Sequence, residues 1–361
     1  MGGDSTMLGF SIYLDQEIDN QTKNYIKEMK RNGFTGVFTS VHIPEEDASK
    51  YVDRLKLLGG YCAEQKLKLT VDLDLKGLKN LGVSVSSARS LTHIGISALR
   101  LDDGFSNSKI AELSHQLNIA LNASTISESD VNNLHADQAD FDHMEAWHNY
   151  YPRPETGLDT DWFATKNQWL KKHHFTVMAF VPGDSKLRGP IYKGLPTLEA
   201  HRNLNPLVAA DELKNKLGVD KVFIGDPQIS KQLMQKFADY ELHNKVQLQV
   251  KSDYTTLFKR VWHNRPEVSR DVVRLVESRK QNQITKLSIK SDDTLKRNVG
   301  AITLDNQGYG RYQGEIQICK TTLQSNPKVN VIGHVIANDL SMLVLIKENT
   351  GIEFKPDEGD K

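Results

Sequence analysis

An excess of charge of either sign is missing from this chain. Lys plus Arg and Asp plus Glu both number 46, so the formal net charge is zero. No bulk field gathers nucleic acid or an anionic membrane surface, and neither is expected as a partner; an anionic ligand has to be held by a local cluster of cations. Cysteine is nearly absent. Cys62 and Cys319 lie far apart and fit neither a zinc nor a redox spacing, which favours a reducing, intracellular setting. No apolar run approaches the roughly 20 residues that span a bilayer. The N-terminus lacks the basic stretch and long apolar segment of an export signal, so a cytoplasmic protein is expected. Hydrophobic residues at 38% and charged residues at 25% of 361 are ordinary globular proportions, which excludes a disordered or fibrous chain and leaves room for two domains.

What is present is a rhythm. Short β-rich runs at 8–14, 36–43, 68–75, 98–102, 118–124, 141–148, 176–182 and 221–226 alternate with amphipathic stretches such as 19–31 and 48–65. A doubly wound sheet often carries a glycine-rich phosphate loop after its first strand, but here that place reads Tyr13-Leu14-Asp15-Gln16. The pattern predicts an α/β fold, a (β/α)8 TIM barrel over 7–243. Near His243 the rhythm changes to β-rich stretches at 245–250, 299–304, 313–318, 329–336 and 340–346, with one helix-like stretch at 269–277. A smaller, mostly β domain is expected over 244–361.

Chemistry in such a barrel sits at the C-terminal ends of the strands, and alternation along each strand says which side chains point inward. Leu69, Val71, Leu73 and Leu75 share one face of the third strand, leaving Thr70, Asp72 and Asp74 on the other. Arg100 and Asp102 point inward from the fourth strand, Ser40 and His42 from the second, and Asn122 and Ser124 from the fifth; Asp226 closes the eighth. Asp72 and Arg100 fit an internal salt bridge as readily as a ligand contact. Asp74 and Asp102 lie nearer the rim and are expected to be functional. The sixth strand runs into Glu145, Trp147, His148, Asn149, Tyr150 and Arg153, a dense set of acid, imidazole, amide, rings and cation suited to sugar rings and their hydroxyls. The seventh loop carries Lys186, Arg188, Lys193 and Arg202 among glycines, and phosphate sites in these barrels often arise there.

Several stretches together resemble the 6-phospho-N-acetylmuramidases of bacterial cell-wall recycling. They are Leu8-Gly9-Phe10-Ser11-Ile12-Tyr13-Leu14, Ile43-Pro44-Glu45, Leu99-Arg100-Leu101-Asp102, Asn122-Ala123-Ser124-Thr125, His148-Asn149-Tyr150-Tyr151-Pro152-Arg153, Arg188-Gly189-Pro190 and Gly194-Leu195-Pro196-Thr197-Leu198-Glu199. The resemblance spans nearly the whole chain. It implies that the second domain is cyclophilin-like. It also implies exo-hydrolysis of 6-phospho-MurNAc-β-1,4-GlcNAc, a disaccharide phosphorylated on import, to MurNAc 6-phosphate and GlcNAc.

For a glycosidase, two carboxyl groups must flank the scissile bond. Asp102 and Glu145 are the expected pair, with Asp74 or Asp226 in reserve. Tyr13, His42, Asp72, Asn122, His148, Asn149 and Asp226 are expected to hold the sugar, and Arg153, Arg188 and Arg202 its phosphate. No metal and no cofactor is expected, and the oligomeric state stays open. A Schiff-base aldolase would need a lysine inside the barrel, yet Lys68 and Lys221 stand at strand starts, the wrong end. A metal-dependent hydrolase has candidate ligands in His42, Asp72, Asp74, His148 and Asp226 but no paired-histidine motif in the first strand. A non-catalytic sugar-phosphate binder would be hindered by so many inward carboxylates.

Overall fold

The computed structural model describes residues 7–41, 48–81, 84–102, 104–279 and 288–357; His42, the Ile43-Pro44-Glu45 stretch and Asp103 lie outside them. Eight strands pair in sequence order: β1 (Met7–Ser11), β2 (Gly36–Ser40), β3 (Lys68–Leu73), β4 (Ile96–Leu101), β5 (Asn118–Asn122), β6 (Met144–Trp147), β7 (Thr176–Val181) and β8 (Lys221–Ile224). Every pairing is parallel, and β8 returns to β1 to close the barrel. The intervening helices are α1 (Asn20–Arg31), α2 (Ala48–Glu64), α3 (Leu75–Asn80), α4 (Asn107–Ser114), α5 (Glu128–Ala136), α6 (Thr160–Lys172) and α7 (Pro206–Lys216), with α8 (Lys231–His243) after the last strand. Their starts are written in the sequence. Asp19, Ser106, Ser127 and Asp159 each accept a first-turn N–H, and Asn205 does so ahead of Pro206.

Parallel strands covered on both faces read as nearly continuous apolar runs. Leu69, Val71 and Leu73 of β3 are fully buried. The barrel interior is filled by Phe38, Ala120, Trp147, Met178, Phe180 and Phe223. Fully burying such rings stabilises the fold by about 1.5–3 kcal/mol each. Phe223 fits because its neighbours have no side chains: a Cβ on Gly9 or Gly36 would stand 2.2 or 2.6 Å from its ring. Ser11 Oγ donates to the Ile224 carbonyl (2.7 Å) and Tyr13 Oη to that of Gly225 (2.5 Å), sewing the β1–β8 seam.

The chain divides into two compact units, Met1–Met234 and Gln235–Lys361, and the division falls within α8. The second unit is built on a seven-stranded sheet of β9 (Lys245–Lys251), β10 (Val261–His263), β11 (Val272–Arg274), β12 (Ala301–Asp305), β13 (Ile316–Cys319), β14 (Val329–Val335) and β15 (Gly351–Pro356), in the order β10-β15-β9-β14-β12-β13-β11. Only β9 and β15 run parallel among its pairings between described residues. Two expectations are overturned. The helix-like stretch 269–277 contains β11, where burial of Val273 and Leu275 follows a period of two. The apolar run 340–346 lies in 3₁₀ turns over Ala337–Leu345 instead of a strand, an ambiguity inherent in short unbroken apolar segments.

Candidate active site

Depth along the strands sorts the inward-facing groups. Glu145 is the second residue of β6, near the N-terminal end of the barrel. Its Oε1 meets the Nζ of Lys221, the first residue of β8, at 2.6 Å, and its Oε2 accepts from Trp147 Nε1 at 2.7 Å. The Trp147 ring lies two residues nearer the mouth, on the same inward face. The structure therefore does not bring Glu145 together with Asp102. It places Glu145 in a buried ion pair beneath the aromatic layer, against the expectation of a catalytic acid.

One layer higher, Asp72, Arg100 and Ser40 stand side by side on adjacent strands. Asp72 Oδ1 bonds Arg100 Nη1 at 2.6 Å, and its Oδ2 accepts from Ser40 Oγ at 3.1 Å. Arg100 Nη2 donates in turn to Asn149 Oδ1. Asp72, Arg100 and Asn149 thus form a cross-strand network, the internal salt bridge that the alternation permits. Asn122 sits at the end of β5, where its Oδ1 accepts the Ser124 N–H at 3.0 Å. His148 points the other way. Its Nε2 pairs with Asn167 Oδ1 of α6 at 2.7 Å and its ring lies 4.4 Å from that of Phe163, behind the barrel wall. Burial pushes the imidazole down to about 4. His148 is a neutral packing residue and not a sugar contact.

The mouth itself begins where β3 and β4 end. Leu73 and Leu101 are in register, and the Asp102 N–H donates to the Leu73 carbonyl at 3.1 Å. Asp74 and Asp102 therefore leave neighbouring strands at one level, the half-buried carboxylates of that rim. Asp74 Oδ1 also accepts the Gly77 N–H at 2.6 Å, capping α3. Among the described residues no three His, Cys, Asp or Glu side chains stand together to share a metal ion.

Across the mouth, the loop after β7 is held by two charged groups. Asp226, 0% exposed, accepts backbone N–H groups of Gly183 (2.8 Å), Leu195 (2.9 Å) and Arg188 (3.0 Å). A carboxylate so engaged organises the loop and does not meet sugar, contrary to expectation. Arg202 is 6% exposed and fully committed. Its Nε and Nη2 grip both oxygens of Glu199 at 2.6 Å, Nη1 bonds the carbonyls of Lys193 and Gly194, and Nη2 also bonds those of Tyr151 and Arg153. Glu199 accepts the N–H groups of Glu155 and Gly157 besides, and the Arg202 bonds hold its carboxyl down at about 2. This clamp ties the loop after β6 to the loop after β7 and leaves Arg202 no N–H for a phosphate. The Arg153 side chain, by contrast, is exposed and takes no partner among the described residues.

Arg188 is turned toward a cavity. That cavity, about 240 Å³, lies between the loops that follow β1, β7 and β8 and is lined by Tyr13, Asp15, Gln16, Lys186, Arg188, Tyr192 and Gln228, among others. The Arg188 guanidinium lies 3.5 Å from the centroid of the Tyr13 ring, and its Nη1 donates to Tyr150 Oη at 2.9 Å. Burial raises the Tyr13 phenol well above its ordinary value, so the ring under Arg188 is neutral. Lys186 Nζ donates to Gln16 Oε1 at 2.9 Å across the same cavity. A fixed guanidinium beside a second cation, at the open end of a barrel, can hold an oxyanion. Sequence reasoning reached Tyr13 and Arg188 but passed over Gln16, Tyr192 and Gln228, whose loops have no residue pattern of their own.

Comparison with known proteins follows the same division of the chain. A family described as 6-phospho-N-acetylmuramidase, N-terminal, matches residues 8–239, and one described as 6-phospho-N-acetylmuramidase, C-terminal, matches residues 240–355. A crystal structure of a conserved protein of unknown function from Enterococcus faecalis is 43% identical, covers 98% of this chain and 97% of its own, and superposes with a TM-score of 0.90. An uncharacterised B. cereus protein, 24% identical over 97% of this chain and 99% of its own at a TM-score of 0.72, shares the fold. No curated protein shows significant similarity to the chain. With both halves matched, the chain belongs to the 6-phospho-N-acetylmuramidase family, a family named for a glycosidase.

Proposed function

We propose that the barrel, residues 7–243, hydrolyses the β-1,4 bond of 6-phospho-MurNAc-GlcNAc to MurNAc 6-phosphate and GlcNAc, in the cytoplasm, where a sugar phosphorylated on import appears. The observation that carries this reading is the Arg188 cavity, where a guanidinium fixed by Tyr13 and Tyr150 stands beside Lys186 at the barrel mouth. The phosphate binds there, which sets the phosphorylated sugar over the loops of β7, β8 and β1. The glycosidic bond then reaches toward the rim that carries Asp74 and Asp102.

Those two carboxyl groups take the catalytic roles. One protonates the leaving GlcNAc oxygen, and the other supports the positive charge that develops at the anomeric carbon and directs water or the acetamido group against it. Asn122, the last residue of β5, and Asn149, two residues beyond β6, offer amide groups to the sugar hydroxyls.

The test is incubation with the phosphorylated disaccharide, followed by mass spectrometry of the products. The wild-type protein releases MurNAc 6-phosphate and GlcNAc. Asp102→Asn and Asp74→Asn each lower kcat by about 10²–10⁴-fold, the range of a lost general acid or base. Full turnover by either variant removes that residue from the mechanism.

A further inference from the structure

We propose that Tyr192 is a specificity-determining residue, an aromatic platform on which the ring of the phosphorylated amino sugar stacks; the inference rests on the reading above and deepens it. Tyr192 is 63% exposed, so folding gains little from its ring. Its backbone sits at φ 54°, in the left-handed region that a bulky side chain rarely occupies. Its hydroxyl takes no hydrogen-bond partner among the described residues. A large ring held in an unfavourable backbone conformation, half in water, is not explained by stability. Strain of this kind persists where the surroundings over-determine it, and it gathers at ligand sites.

The surroundings do over-determine it. The Tyr192 N–H donates to the Arg188 carbonyl at 3.2 Å, and the Arg188 N–H is held by Asp226 at 3.0 Å. Immediately after the ring, the carbonyls of Lys193 and Gly194 are gripped by Arg202. The chain is thus pinned on both sides of Tyr192. The ring folds back over Gly189, where a Cβ would stand 2.8 Å from the phenol oxygen, so any larger residue there would displace it. It lines the same cavity as Arg188. A sugar anchored there by its phosphate has a rigid aromatic surface beside it, and the apolar C–H face of a pyranose packs on such a surface while its hydroxyls reach Asp15, Gln16 and Gln228.

The substitution that separates binding from folding is Tyr192→Gly, because glycine adopts φ 54° without penalty. The variant keeps or raises the melting temperature, yet KM for the phosphorylated disaccharide rises about tenfold, with kcat changed less than about threefold. Tyr192→Phe, which keeps the ring, restores KM to near the wild-type value. The same order appears in the Kd of MurNAc 6-phosphate measured by calorimetry. If wild-type protein cleaves the disaccharide and Tyr192→Gly leaves both KM and Kd unchanged, the platform is overturned while the reaction stands. A Tyr192→Phe variant as weak as Tyr192→Gly also overturns it. A wild-type protein that neither cleaves nor binds overturns both.

Discussion

Glu145 and Asp102 are both carboxylates on inward-facing positions of barrel strands, and they differ in depth. Asp102 follows the last residue of β4, whereas Glu145 is one residue into β6 and shares its charge with Lys221 at 2.6 Å. Both partners are largely removed from water. Breaking such a pair from one side leaves a buried charge, a loss of about 3–5 kcal/mol. Glu145→Gln is therefore expected to destabilise the protein by about 3 kcal/mol in urea unfolding while leaving kcat/KM within about twofold. A collapse of activity at unchanged stability would return Glu145 to the catalytic pair. The inward direction of Asp72 and Arg100 was legible from alternation alone. The depth of Glu145 was not, because β6 has four residues and starts at Met144, so a run read as 141–148 set Glu145 too near the mouth. The same short strand turned His148 outward onto α6.

At the scale of elements, all eight barrel strands and their order could be read from the apolar runs, since burial on both faces leaves a strong signal. Loops carry no such periodicity. Basic residues of the seventh loop are alike in sequence, and only the folded chain separates Arg188, open to a cavity, from Arg202, consumed by Glu199 and four carbonyls. The sheet of the second unit holds a different surprise. Asp305, at the end of β12, is 6% exposed, and burial followed by the nearby Glu315 pushes its carboxyl up to about 7, against the pull of Arg297, Arg274 and Arg279. Glu315 is itself tied by both oxygens to Arg274 at 2.7 and 3.1 Å.

The consequence has a definite sign. A carboxyl whose folded value lies above its unfolded value binds more protons when folded, so its contribution to stability is complete below about pH 4 and is lost as pH rises toward 7. Relative to Asp305→Asn, which stays neutral, the wild type should lose stability across that window, at no more than about 1.4 kcal/mol per pH unit. Urea titrations of both proteins between pH 4 and 8 measure it. Parallel curves would mean that Asp305 titrates as an ordinary surface carboxylate.

At the scale of the whole molecule, two matched family segments and one relative of 43% identity cover nearly the full chain, so barrel and sheet belong to a shared design. Zero net charge means that an anionic substrate has to be met locally, and the phosphate seat proposed at the Arg188 cavity is the feature to test. The most direct measurement compares kcat/KM for the phosphorylated and unphosphorylated disaccharide in the wild type and in Arg188→Ala. The wild type is expected to prefer the phosphorylated form strongly. Arg188→Ala should lose about 10–100-fold on that form, as expected for a charge-assisted contact of about 1.5–3 kcal/mol, with little change on the other. Equal losses on both substrates, or no preference in the wild type, would contradict a phosphate seat at Arg188.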